Sequence, residues 1–223
     1  MKIRPLVALA FALTGAARAD DLRPITASDL CVTNGEIPAD PGGFRVDAPS
    51  SRAVVRFTSD AQAEVKFRYL GPSAGDKPLA SGELRRQIGL KLRAQDTCNL
   101  VYAMWHIEPD SRVAVSVKRN PGKSANEQCH AGGYINLKPT TPGSPPKIAI
   151  GEEHVLKAAL VGRRLTVWAD GRVAWNGDLD ARAFEIDGPV GLRTDNARFA
   201  FAFLAPAARS RASTGKCERS GGD

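Results

Sequence analysis

The sequence predicts an all-β fold, a two-sheet antiparallel β-sandwich, on three observations. Apolar and polar residues alternate with period two from about residue 44 onward, turn-forming residues recur every 8 to 12 residues or so, and no helix-period stretch of about ten residues competes. A closed antiparallel barrel is the alternative arrangement of such strands.

The chain has 223 residues, 43% hydrophobic and 25% charged. That balance excludes a disordered or collagen-like chain and leaves enough apolar side chain for one domain of roughly 200 residues, which buries about 70% of its unfolded surface. The 15 Pro and 21 Gly fall mostly between apolar runs, where they mark turns.

Taken in order, Lys2 and Arg4 precede Pro5 and an apolar run over 6–13, and Ala17-Arg18-Ala19 ends the segment with small residues around a cleavage position. This is the pattern of a secretory signal peptide over 1–19. The apolar run falls short of the roughly 20 residues a bilayer span requires, and no later segment approaches that length. The expected division is therefore a signal peptide (1–19), a β-sandwich (20–205) and a polar C-terminal tail (206–223). Cleavage after Ala19 removes Lys2, Arg4 and Arg18 and lowers the formal charge from +7 to +4. The remaining cations are interspersed among 24 acidic residues, which with the export signal argues against a nucleic-acid partner.

Three runs alternate with particular regularity. Val65, Phe67 and Tyr69 point one way and Glu64, Lys66 and Arg68 the other; Ile88, Leu90 and Leu92 alternate with Gln87, Lys91 and Arg93; Val113, Val115 and Val117 alternate with Ala114, Ser116 and Lys118. Each is a strand with one face buried. Further strands are expected over 99–108, 154–161, 165–169, 173–177, 190–193 and 198–204. Asp170-Gly171, between Leu165-Thr166-Val167-Trp168 and Val173-Ala174-Trp175, predicts a tight hairpin, because both central residues of a type I′ turn take positive φ. The Pro-rich segment 138–147 cannot join a central strand and is expected as an exposed loop.

Four cysteines in an exported chain favour disulfides, with three connectivities possible. The expected pairs are Cys31 with Cys217, clamping the two ends, and Cys98 with Cys129. There is no Cys-x-x-Cys, and adjacent Cys129 and His130 are not a recurring ligand spacing, so no metal and no cofactor is expected.

The stretches Ile88-Gly89-Leu90-Lys91-Leu92-Arg93-Ala94, Asn99-Leu100-Val101-Tyr102-Ala103-Met104-Trp105-His106 and Val113-Ala114-Val115-Ser116-Val117-Lys118-Arg119 resemble central strands of the concanavalin A-like lectin/glucanase jelly rolls. The 165–175 hairpin, Gly188-Pro189-Val190-Gly191-Leu192-Arg193-Thr194-Asp195-Asn196-Ala197 and Phe199-Ala200-Phe201-Ala202-Phe203 are similar to the closing strands of its laminin G-like and 3-keto-disaccharide hydrolase-like branches. The resemblance covers roughly 50–204 and implies a curved sandwich whose concave face binds carbohydrate; it transfers no mechanism. The Glu-x-Asp-x-x-Glu motif of the hydrolytic members is missing. Glu152 and Glu153 are consecutive and face opposite sides of a strand, and Asp178 and Asp180 fall at a turn, so none forms the carboxylate pair that glycoside hydrolysis requires.

Strand parity nominates a face. If the valines of 113–117 and Val101, Ala103, Trp105 and Ile107 are sealed inside, then Tyr102, Met104 and His106 share the outer face with Lys118, Lys91 and Arg93. Aromatic faces stack on pyranose rings, and Lys and Arg meet hydroxyl or carboxylate oxygens, so Tyr102, His106, Lys118, Lys91 and Arg93 are the candidate ligand-binding residues and an anionic glycan the candidate partner. Three functions follow. The first is an exported glycan-binding module. The second is a polysaccharide-degrading enzyme on the same face, a lyase using Tyr102 and His106 as acid and base or an unusual glycoside hydrolase. The third is a structural envelope protein.

Overall fold

The structure is a computed structural model that describes residues 22–58, 61–79, 81–207 and 210–211. Two antiparallel sheets pack face to face. One has nine strands, in the order Thr141–Pro142, Arg172–Asp178, Arg164–Ala169, Glu153–Val161, Gln62–Pro72, Ala197–Pro206, Gly43–Val46 and Ala39–Asp40, with Leu22–Pro24 also paired to Ala197–Pro206. The other has seven: Tyr134–Leu137, Arg112–Lys118, Leu100–Glu108, Arg86–Leu92, Gly191–Asp195, Ser50–Val55 and Leu30–Asn34. A two-stranded ribbon joins Phe57–Thr58 to Ser210–Arg211. Among the described residues no helix is long and apolar enough to cross a membrane.

The alternation seen in the sequence builds the core. Val65, Phe67 and Tyr69 of one sheet, with Phe199, Phe201 and Phe203 beside them, meet Ile88, Leu90, Trp105, Val115 and Val117 of the other. Phe67 is the hub. It stands edge-on to Trp105 with ring centroids 5.7 Å apart and edge-on to Phe199 at 5.6 Å, within the range that favours aromatic pairs. The Trp105 indole N–H donates to Ser111 Oγ at 3.1 Å, so this buried donor is satisfied. The valine row is sealed between the sheets as parity requires, with Val113 partly buried against the same core.

Asp170 (φ 49°) and Gly171 (φ 74°) both take positive φ, and Ala169 pairs with Arg172 across them, the tight hairpin the sequence predicts. The Pro-rich segment departs from a pure loop. Thr141 and Pro142 pair with Asn176 and Trp175 at the sheet margin, where a residue without an N–H is tolerated. The strands before residue 56 were not resolved individually by the alternation, and they complete the margins of both sheets. Cys98 and Cys129 form a disulfide, S–S 2.07 Å. The expected signal peptide (1–19) and the Cys217 half of the Cys31–Cys217 pair lie outside the described residues.

Candidate functional site

The outer face of the seven-stranded sheet carries a cleft of about 480 Å³. Its floor follows from register. Lys91 lies opposite Tyr102 on one side and Gly191 on the other; Arg193 lies between Arg52 and Gly89; Lys118 lies opposite Tyr134. Because these positions share one parity, their side chains rise on the side away from the core. Gly89 and Gly191 keep the floor low beneath the long cations. A Cβ at Gly89 would sit 2.3 Å from Met104 Sδ and 2.6 Å from the Ala103 carbonyl oxygen, closer than real contacts allow.

Two loops wall the cleft. Asn196 receives a hydrogen bond from the Lys77 N–H at 2.9 Å and donates to the Lys77 and Arg85 carbonyls, which fixes the segment bearing Lys77, Pro78 and Leu79. Opposite, the turn carrying Asn126, His130 and Ala131 is tied to the sheet by the Cys98–Cys129 disulfide and leads into Tyr134.

Electrostatics set the character of the cleft. Arg52, Lys77, Lys91, Lys118 and Arg193 line it against one carboxylate, Asp195. Asp195 is held by two hydrogen bonds from Arg193 (2.7 and 3.3 Å), one from Gln87 Nε2 (2.6 Å), and Arg52 at 3.6 Å. Burial pushes its carboxyl up, but Arg193 and Arg52 outweigh that and keep it below the usual carboxylate range. Arg193 also lies over the Tyr102 ring at 5.2 Å, Tyr102 stacks on Tyr134 at 6.1 Å and 17°, and Lys118 lies over Tyr134 at 5.3 Å while donating to the Thr97 carbonyl at 3.2 Å.

Lys91 differs from its neighbours. It is 3% exposed, it lines the cleft, and none of the described residues accepts a hydrogen bond from its ammonium. Burial, then the positive charges of Arg52 and Arg193, hold its pKa well below the ordinary lysine value.

The structure gathers Tyr102, Lys91 and Lys118 of the sequence-nominated set and separates the other two. The expectation that this face looks freely to water is corrected: Tyr102 (4%), Lys91 (3%) and Lys118 (2%) are covered by Tyr134, Arg193 and the wall loops. His106 is on the same face but does not line the cleft. Arg112 Nε donates to its Nδ1 at 3.0 Å and Arg85 Nη1 sits 3.3 Å from its Nε2. Burial, then Arg85 and Arg112, bring its pKa down to about 3, so the ring is neutral across the physiological range and is a poor proton carrier there. Arg93 leaves the face altogether. Its φ of 51° ends the alternation, and its guanidinium donates to the Ala183 and Ile186 carbonyls at 3.0 and 2.6 Å. Sequence reasoning missed Arg52, Tyr134, Arg193 and Asp195 as site residues. Alternation of Ser50, Arg52 and Val54 with Ser51, Ala53 and Val55 marks the Arg52 strand in hindsight, but nothing local announces Tyr134.

Among the described residues the lining has a single carboxylate, Asp195, itself engaged by two arginines, and no carboxylate pair. It does provide hydrogen-bond donors, positive charge and two aromatic rings.

No protein-family model and no curated protein matches the sequence. Among solved structures, the chain is similar to the carbohydrate binding module CBM66 from Bacillus subtilis, at TM-score 0.54 and 16% identity over 78% of this chain and 91% of that one. It is also similar to a Crh5 transglycosylase in complex with NAG, at 0.48 and 12% over 86% and 87%, and to the Caenorhabditis elegans galectin LEC-6, at 0.40 and 8% over 81% and 99%. The likeness to the CBM66 module is one of fold, a two-sheet antiparallel jelly roll.

Proposed function

We propose that the protein is an exported glycan-binding module that takes a saccharide into the cleft on the outer face of its seven-stranded sheet. One observation carries this reading: a preformed pocket of about 480 Å³, of a size with known ligand sites, joins stacked tyrosines to convergent donors from Lys91, Lys118, Arg52 and Arg193. Tyr134, 39% exposed, is the ring a sugar reaches; Tyr102 supports it from beneath. The likeness to a carbohydrate binding module of the same fold supports the class of ligand, and the disulfide together with the expected signal peptide supports export.

The test is a glycan array and a reducing-end assay on residues 20–223, beside the Tyr134→Ala and Lys118→Met variants. The wild type retains glycans without releasing reducing ends, and both variants lose retention. Absence of retention by the wild type, or undiminished retention by both variants, overturns the proposal; release of new reducing ends converts the module into an enzyme.

A further inference from the structure

We infer that the cleft selects acidic saccharides, and that Lys91 is the residue that receives the carboxylate or sulfate group. The inference rests on the glycan-binding reading and specifies its ligand.

A buried cation is ordinarily paired or hydrogen-bonded, because desolvating it without compensation costs several kcal/mol. Around Lys91 that compensation is missing among the described residues. Asp195 is the sole carboxylate of the cleft among the described residues, and its oxygens are already taken by Arg193 and Gln87, with Arg52 alongside. The Arg52 and Arg193 strands bring fixed positive charge to one side of Lys91, and Lys118 and Tyr134 close the other. Guanidinium groups do not give up their protons, so the surplus charge persists whatever Lys91 does. An anion arriving from the open side meets the Lys91 ammonium directly, with Arg52 and Arg193 near enough to add attraction. The rings of Tyr102 and Tyr134 flank that point, which suits a pyranose carrying the anionic group and disfavours a bare anion.

Lys91 is faced by Arg52, Arg193, Lys118 and Asp195, and Tyr102 and Tyr134 complete its surroundings. Burial and the neighbouring cations lower the pKa of Lys91, and a bound anion favours its charged form, so acidic ligands are held less tightly at a pH where that proton is lost.

The experiment is titration calorimetry on residues 20–223 with a galacturonate trisaccharide, a sulfated disaccharide, cellotriose and inorganic sulfate. A charge-assisted hydrogen bond of about 1.5–3 kcal/mol predicts acidic saccharides binding roughly tenfold to a hundredfold more tightly than cellotriose. It predicts loss of that preference in Lys91→Met. Arg52→Gln, which removes one of the flanking positive charges, binds acidic saccharides more weakly than the wild type but still prefers them to cellotriose. The uronate and sulfate arms identify which acidic group is preferred. Equal binding of cellotriose overturns the inference and leaves the glycan-binding reading intact. So does undiminished acidic binding by a folded Lys91→Met, or inorganic sulfate binding as tightly as the saccharides. Failure of all saccharides to bind overturns both.

Discussion

His106 makes the fold acid-sensitive in a way that can be isolated. Its ring is buried between Arg85 and Arg112, and burial followed by those charges lowers its pKa from 6.5 to about 3. A group with a depressed folded pKa binds protons more readily when unfolded, so its stabilising contribution is complete above about pH 6.5 and declines as pH falls toward 3. The slope in that window is about 1.4 kcal/mol per pH unit, which amounts to about 2.5 kcal/mol between pH 7 and about pH 4.5. The assay is urea denaturation at several pH values for the wild type and His106→Gln. Glutamine can accept from Arg112 but does not titrate, and carboxylates that also respond to acid, Asp195 included, cancel in the comparison. The wild type loses about 2.5 kcal/mol more than the variant over this range. Coincident profiles, or an imidazole resonance titrating near 6.5 in the folded protein, would refute the reasoning.

Three other outcomes follow from the structure. Cys98 and Cys129 are 31 residues apart, so the Cys98→Ser/Cys129→Ser variant loses about 4 kcal/mol of stability by the loop-entropy argument, read from thermal melting with and without reductant. Because that bond anchors one wall of the cleft, saccharide affinity falls with it. Gly89→Ala forces the Arg86–Leu92 strand away from the Ala103 carbonyl and costs about 1–3 kcal/mol, seen as a lower denaturant midpoint; an unchanged midpoint contradicts the contact. Asp195→Ala strips Arg193, Gln87 and Arg52 of their shared partner and destabilises by about 3–5 kcal/mol, whereas Asp195→Asn, which still accepts hydrogen bonds, costs less.

The fold was legible because its signals are local. Alternation over 63–69, 87–92 and 113–117 assigns every side chain of those strands to a face, and the coordinates keep the assignment: Phe67, Leu90 and Val115 in the core, Lys91, Tyr102 and Lys118 on the far side. Asp170-Gly171 encodes its own turn. The departures arise where backbone conformation breaks the period, as at Arg93, or where a weakly patterned strand hides between louder ones, as with Ser50–Val55. Arg93 lies one step past the strand, which ends at Leu92, so the alternation no longer governs where its side chain points.

What the chain determined by itself was strand, face and turn, since these depend on residues two to four positions apart. What only tertiary structure decided was whether the far face is wet. That depends on Arg193 and Asp195, on Tyr134 beyond the disulfide, and on the Lys77 segment held by Asn196, all of them distant in sequence from Lys91. Burial is a property of what lies above a side chain. A period-two pattern records only which way that side chain points.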